Sequence, residues 1–463
     1  MRQTNKIRKG IAWLLCTVLV LGILPMLPQM SMQISAAENA ASVFVDGVEL
    51  HAGGKEYFKN GDTADSGATG TYEDHSAYYD TAGELWLNNL EAHTIKANGN
   101  LTIYVCNNQA TNTNIVTATQ NETAIEVTGY LTIRYGGYGG GTGSLTVESD
   151  GKEAIQAGSG MTVSDGVEVK ARAKSGATAI SSGGVLKIDG IRTKLEAAGD
   201  GSTGKGIFAQ QSIYVKNSAV LTAFGGAAAY ESPSGIDKSG YGYEDYNVFT
   251  GDAAPGTQAA KDTVLDGYKY IRIEPTGVAN VKTLTELQAA AQNQYISLIN
   301  VMNDITITDT VYVRRAVTIQ SPDVSNVSKL IRGKSHTDVI LDFDGANGHK
   351  SDVVTLKNII VDGNKDGNTQ TVSPALKSKS ILVDLESGTV IENNHAKEGA
   401  AIYVNHYSTV TMKEGSEIRN NVSESDGTVY VIGNGGYFEM AGGTISGNTV
   451  AGNGGGIYEF GGG

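Results

Sequence analysis

GTVIENN (388–394), SEIRNN (416–421) and GTISGN (443–448) decide how this chain folds. They set Ile391, Ile418 and Ile445 27 residues apart, with Asn394, Asn421 and Asn448 on the same step. AAIYV (400–404), GTVYV (427–431) and GGIYE (455–459) recur beside them at nearly the same interval. A fixed period of this length marks a solenoid, in which each repeat buries its apolar side only against its neighbours. VDGN (361–364) fits one coil earlier, with Val361 in the isoleucine position and Asn364 in the asparagine position.

The N-terminal half carries a second array in different wording. GNLTI (99–103), GYLTI (129–133), GMTV (160–163), VLKI (185–188) and SIYV (212–215) align Leu101, Leu131, Met161, Leu186 and Ile213. Ile125, Ile155, Ile180 and Ile207 keep step just upstream, and Val169, Leu195 and Leu221 form a third column. Each coil therefore reads as two or three short strands with glycine-rich corners. Leucine-rich repeats share this period, but their leucine pattern is missing. VSESDGTVYVIGNGGYFEMAGG (422–443) alternates with period two, which leaves no room for a helical return arm. The fold expected is all-β: two tandem right-handed parallel β-helices. In such a stack the repeated Asn bonds its own turn and the Asn above, so the asparagines read as structural.

Residues 225–266 lose the beat and collect Gly, Ser, Pro and Tyr, which reads as an insertion. YKYIRIEP (268–275) reads as the last strand of the first array. Thr283 and Glu286 then make a capping box, with Leu284, Leu287 and Ala291 on one face, which predicts a short helix near 283–293 covering the open end of the second β-helix. The domains expected are 38–275 and 276–463. The second stops at GGGIYEFGGG (454–463), one strand into a new coil, and reads as truncated.

Residues 1–37 read as an export signal. Arg2, Lys6, Arg8 and Lys9 precede the apolar run 11–24, and Ser35-Ala36-Ala37 offers a cleavage site. Without the four leader cations, 31 Lys and Arg face 49 Asp and Glu, a net charge of −18. Such a balance argues against nucleic acid and anionic membrane surfaces as partners. Cys16 lies in the leader, so Cys106 has no partner for an intramolecular disulfide in the mature chain.

At GTISGNTVAGNGGGIY (443–458) the chain resembles the repeats of bacterial adhesins and polymorphic outer-membrane proteins, within the pectin-lyase-like β-helix superfamily. VFVDGVEL (43–50), LWLNNLEA (85–92) and the GYLTI coils resemble carbohydrate-binding-like β-helix modules of secreted bacterial proteins. The resemblance implies a fold and a surface location. It does not imply an activity, because the scaffold hosts lyases, hydrolases, adhesins and sugar-binding modules alike.

Three constellations carry candidate chemistry. VDGNKDGN (361–368) spaces Asp362, Asn364, Asp366 and Asn368 as alternate oxygen donors around Gly367, the pattern of a Ca²⁺ loop, although its twelfth position is Ser373 rather than Glu. Asp342 and Asp344, with Arg314, Arg315 and Arg332, supply the residue types of a polysaccharide lyase, although nothing in the sequence brings them into neighbouring coils. Trp86, Tyr135, Tyr138, Tyr241, Tyr243 and Tyr246 sit in glycine-rich or irregular stretches where rings could stack on sugars. The seven histidines show no metal spacing. The reading is an extracellular or cell-surface, non-catalytic protein for adhesion or polysaccharide binding, requiring no cofactor, with Ca²⁺ as a candidate ion, a polysaccharide or host or extracellular glycan as partner and no membrane insertion after signal cleavage. A polysaccharide lyase or glycosidase is the rival, and a passive stalk the third reading.

Overall fold

The structure, a computed structural model, describes residues 38–461 apart from 65–66, 72–73, 107–112, 120, 138–141, 346–350, 369–370 and 434. The export signal and Tyr138 lie outside the described residues.

Short strands alternate buried and exposed residues, and successive coils pair in parallel at the register the sequence predicts. Leu101, Leu131, Met161, Leu186 and Ile213 are stacked Cα partners. So are Ile125, Ile155, Ile180 and Ile207. In the C-terminal half Val361, Ile391, Ile418 and Ile445 do the same. The inward-facing members of these columns fill a continuous interior: Leu131, Ile155, Leu186, Ile391 and Ile418 have no exposed surface. The chain is thus an all-β parallel solenoid with one short α-helix among the described residues.

The N-terminal coils contribute strands to an 8-stranded and a 9-stranded sheet, and the C-terminal coils to two 6-stranded sheets. A 15-stranded sheet runs through both halves. Its continuity rests on Tyr270–Val281, one 12-residue strand. The first half of that strand runs antiparallel to Val220–Gly225, and its second half runs parallel to Leu298–Val301. Strand direction in the shared sheet therefore reverses at this element. The apolar interior also changes hands here, the first cluster ending at Ile273 and the second opening with Ala279. The boundary expected between Pro275 and Asn280 lies inside an unbroken strand. The alternation of 268–275 reads as a last strand of the first array, because period two says nothing about strand direction.

The off-beat stretch also begins later than expected. Ala228–Glu231 and Ile236–Asp237 still pair in parallel with Lys205–Ala209 and Ile213–Lys216, stacking Tyr230 on Ile207 and Ile236 on Ile213. This coil is shorter, and Tyr stands where the others have Ile, which hid it from the spacing. The true excursion is the antiparallel pair Glu244–Gly251 and Thr257–Ala259, which folds back beside Tyr270–Val281.

The helix is Leu284–Gln292, with both halves of its capping box formed. Thr283 Oγ1 accepts from the Glu286 N–H, and the Glu286 carboxylate accepts from the Thr283 N–H at 3.0 Å. Leu287, Ala290 and Ala291 are buried in the second interior together with Ala279, Ile299 and Val313. No helix among the described residues is long and apolar enough to cross a membrane.

The paired asparagines divide their work. Asn393 and Asn420 take left-handed backbone conformations (φ 56° and 55°), which Asn tolerates better than most side chains. The following Asn394 and Asn421 are fully buried. Asn421 Oδ1 accepts from Asn394 N at 3.0 Å, and Asn448 Oδ1 accepts from Asn421 N at 2.9 Å. Asn364 does not extend this ladder. It takes the left-handed turn position itself (φ 52°), and Gly363 passes so close to Asn394 that a Cβ there would sit 2.3 Å from its Cα. The ladder ends instead on Arg332.

Candidate functional site

The expected sugar-stacking residues are scattered, and most are engaged in packing. Trp86 stands in a row across adjacent strands, stacked on Tyr104 at 4.1 Å and on Tyr78 at 5.8 Å, with its indole N–H donated to Asp80 at 3.1 Å. Both of its faces meet other rings. Arg134 lies over Tyr104 and Lys55 over Tyr78. Tyr241 is only 2 % exposed, and its hydroxyl donates to Ala219 O. Burial pushes its phenol far above the usual range. Tyr246 stacks on Tyr241 at 4.7 Å, Tyr135 packs against the first interior, and Tyr243 packs against the second. The tyrosines of the excursion thus staple it to the two cores.

In the 361–368 turn, Asp362 accepts from Asn364 N at 2.9 Å and faces Lys329 at 3.5 Å. Asn364 and Asn368 donate their amides to Arg332 O (3.0 Å) and His336 O (3.4 Å), while Asp366 is exposed. Among the described residues no three His, Cys, Asp or Glu side chains gather in a metal-holding group.

The lyase-type residues part company. Arg314 does reach Asp342 (3.4 Å) and Asp344 (3.6 Å) from the neighbouring coil, with Lys379 3.8 Å from Asp344 in the next, a convergence the sequence alone did not show. Burial raises the Asp342 carboxyl, against the opposing pull of Arg314 and Lys377. Arg315 instead binds the carbonyls of Ala290 and Ile296, and burial pushes it down to about 10. Arg332 is fully buried.

A half-open concavity of about 660 Å³ lies on the outer face of the 15-stranded sheet, in the N-terminal coils. That volume falls within the range of ligand clefts. Strict register lays its floor in two rows. Thr146, Lys170, Glu196, Thr222 and Arg272 are successive partners in one row; Glu148, Arg172, Ala198, Phe224 and Tyr270 are successive partners in the other. Parallel pairing spaces such steps by about 4.8 Å. Ala198, between Arg172 and Phe224, leaves a low point in the floor. The turn of the excursion supplies the wall through Ala254 and Pro255. Gly256 lets that turn rest on Tyr270, since a Cβ there would come within 2.8 Å of the ring.

The polar groups of the cleft are held in place. Arg172 Nε and Nη2 both reach Asp200 Oδ2, at 3.0 and 2.7 Å, and Lys170 pairs with Glu168 at 3.1 Å. Hydrogen bonding to these carboxylates raises both cations above their ordinary values. Arg272 pairs with Glu274. Each cation keeps roughly half of its side chain in solvent, so its remaining donors face the opening. The arrangement offers donors, acceptors and an apolar wall together, and none of its members was singled out by motif. The signal was nonetheless available: Lys170 and Arg172 lie one and three residues after Val169, which belongs to an aligned inward column, so period two places them outward. The wall carries no such signal, because it depends on how the excursion folds back.

Residues 278–398 match a family described as "Putative pectate lyase-like adhesive domain". That segment is therefore similar to a pectin-lyase-like β-helix, in agreement with its parallel coils. No curated protein and no solved structure matches the chain.

Proposed function

We propose that this is a surface or extracellular adhesion protein whose solenoid holds polysaccharide on its lateral face, without cleaving it. The observation that carries this reading is the cleft whose floor is two in-register rows, one polar throughout and the other running from Glu148 and Arg172 to Phe224 and Tyr270, against the Ala254 and Pro255 wall, a shape and chemistry suited to sugar rings with their apolar faces and hydroxyl rims. The adhesive-domain similarity of 278–398 supports it from an independent part of the chain. The test is retention of the purified protein on arrayed and insoluble glycans. Absence of retention on all of them overturns the reading and favours a passive stalk.

Polysaccharide cleavage has one observation in its favour, the approach of Arg314 to Asp342 and Asp344 in the matched segment. A lyase needs its cation free to act beside the substrate carboxylate, whereas Arg314 is already shared between two acids and lies over the Tyr312 ring. Release of unsaturated uronate from pectin-type substrates, lost in Arg314→Ala, would establish the rival.

A further inference from the structure

We infer that the cleft selects an uncharged, extended glycan that lies along the solenoid axis. This rests on the glycan-binding reading and narrows it to a ligand class.

Charge balance gives the class. The cleft is lined by Lys170, Arg172 and Arg272 and, in equal number, by Glu148, Glu196 and Asp200. Arg172 is committed to Asp200 through two nitrogens, while Lys170 and Arg272 have carboxylate partners of their own beside the cleft. An anionic polymer would bring one carboxylate or sulfate per unit to a surface with no surplus cation, on a chain carrying a formal net charge of −14. It would have to displace Glu and Asp from their partners to be bound. A neutral sugar needs no such exchange: paired charges still present spare N–H donors and carboxylate lone pairs to hydroxyl groups, and the resulting bonds are charge-assisted.

Geometry gives the direction. Both rows run across the strands, so they follow the axis and repeat once per coil, about every 4.8 Å. One ring of an extended pyranose chain advances by a similar length. A chain laid along the rows meets one new pair of side chains at each coil, and its path ends on Phe224 and Tyr270 beside the Ala254 and Pro255 wall. The Ala198 gap gives one ring room to drop toward the floor beside Phe224.

The experiment is affinity electrophoresis and titration of the full chain. The probes are mixed-linkage glucan, xyloglucan and galactomannan as neutral polymers, and polygalacturonate and a sulfated galactan as acidic ones, each at low and high salt. Phe224→Ala, Arg172→Gln and Ala198→Gln are tested alongside, with the far-ultraviolet spectrum and melting temperature of each recorded. Expected is binding to at least one neutral polymer that salt does not weaken, reduced about tenfold or more by Ala198→Gln and by Phe224→Ala while melting stays as in the parent. Binding confined to the acidic polymers and abolished by salt would overturn the ligand class but leave the adhesive reading standing. Neutral binding indifferent to all three substitutions would move the site away from the cleft. Retention on no glycan at all would overturn both.

Discussion

Arg332 Nε donates to Asn394 Oδ1 at 3.2 Å across two coils, so a fully buried guanidinium forms the last rung of the asparagine ladder. Its other nitrogens bond only carbonyls, those of His336, Asp338, Ser373 and Pro374. No carboxylate joins these bonds, and burial pushes the group down to about 10, still charged at neutral pH. The planar fork satisfies two loop segments at once, which a lysine cannot reproduce.

Replacing Arg332 by Met strands Asn394 Oδ1 and the Asp338 and Pro374 carbonyls, while His336 O keeps the Asn368 amide and Ser373 O keeps that of Asn394. The expected loss is about 3 kcal/mol or more, with Arg332→Lys recovering less than half. Hydrogen exchange should report faster opening of 373–400 before any change in the N-terminal coils, because a solenoid loses stability by neighbouring repeats. Uniform loss across both halves would contradict this.

Asn421 gives its amide to Ile391 O (3.1 Å) and Arg419 O (3.0 Å) while its oxygen accepts from Asn394 N. Asn421→Ala should cost about 2 kcal/mol by stranding buried groups. Asn421→Asp keeps the acceptor, loses the donors and buries a charge, so its unfolding midpoint should fall below that of the alanine variant at neutral pH and recover in acid. Denaturant melts at two pH values decide it.

Thr283→Ala removes one half of the capping box and should cost about 1 kcal/mol. The loss should appear as faster amide exchange in 284–292 and stronger binding of a hydrophobic dye, because the helix covers Ile299 and Val313. A change in melting temperature without either local signal would argue that the helix is not a cover.

Glu244 is 7 % exposed where the excursion, the first array and the capping helix meet, and it accepts from Ser218 Oγ at 2.8 Å and Asn293 Nδ2 at 3.1 Å. Burial raises its carboxyl, against the opposing effect of these donors. A folded-state value above the unfolded one means that its stabilisation is complete below the ordinary Glu range, about 4.3, and is lost as pH rises through the folded value. Glu244→Gln should therefore flatten the pH dependence of unfolding above that range and raise the melting temperature at neutral pH. A pH profile identical to the parent's would refute the assignment.

The fold was legible because burial imposes a period. Ile391, Ile418 and Ile445 each return to the same inward position once per coil, so spacing became register. Direction left no such trace, and Tyr270–Val281, which the sequence divides near Pro275 between the two arrays, is one strand that serves both. The 225–266 stretch loses the beat in sequence although 228–237 still pairs as a coil, and Tyr241, a candidate sugar-stacking ring, is buried, because glycine-rich surroundings say nothing about which way a side chain turns. Lys170, Arg172 and Phe224 were hidden differently: they are ordinary outward residues, and only the returning excursion turns them into the lining of a cleft.

The reversal at Tyr270–Val281 has a mechanical consequence. Strands lie across the axis, so a pull along the molecule strains the ladder bonds lengthwise and peels coils one after another from a free end. At this strand the backbone is gripped by Val220–Gly225 on one side and Leu298–Val301 further along on the other. Tension arriving from either half must detach a strand that the other half still holds, which makes the reversal a crack-stop between two lengths of unravelling chain.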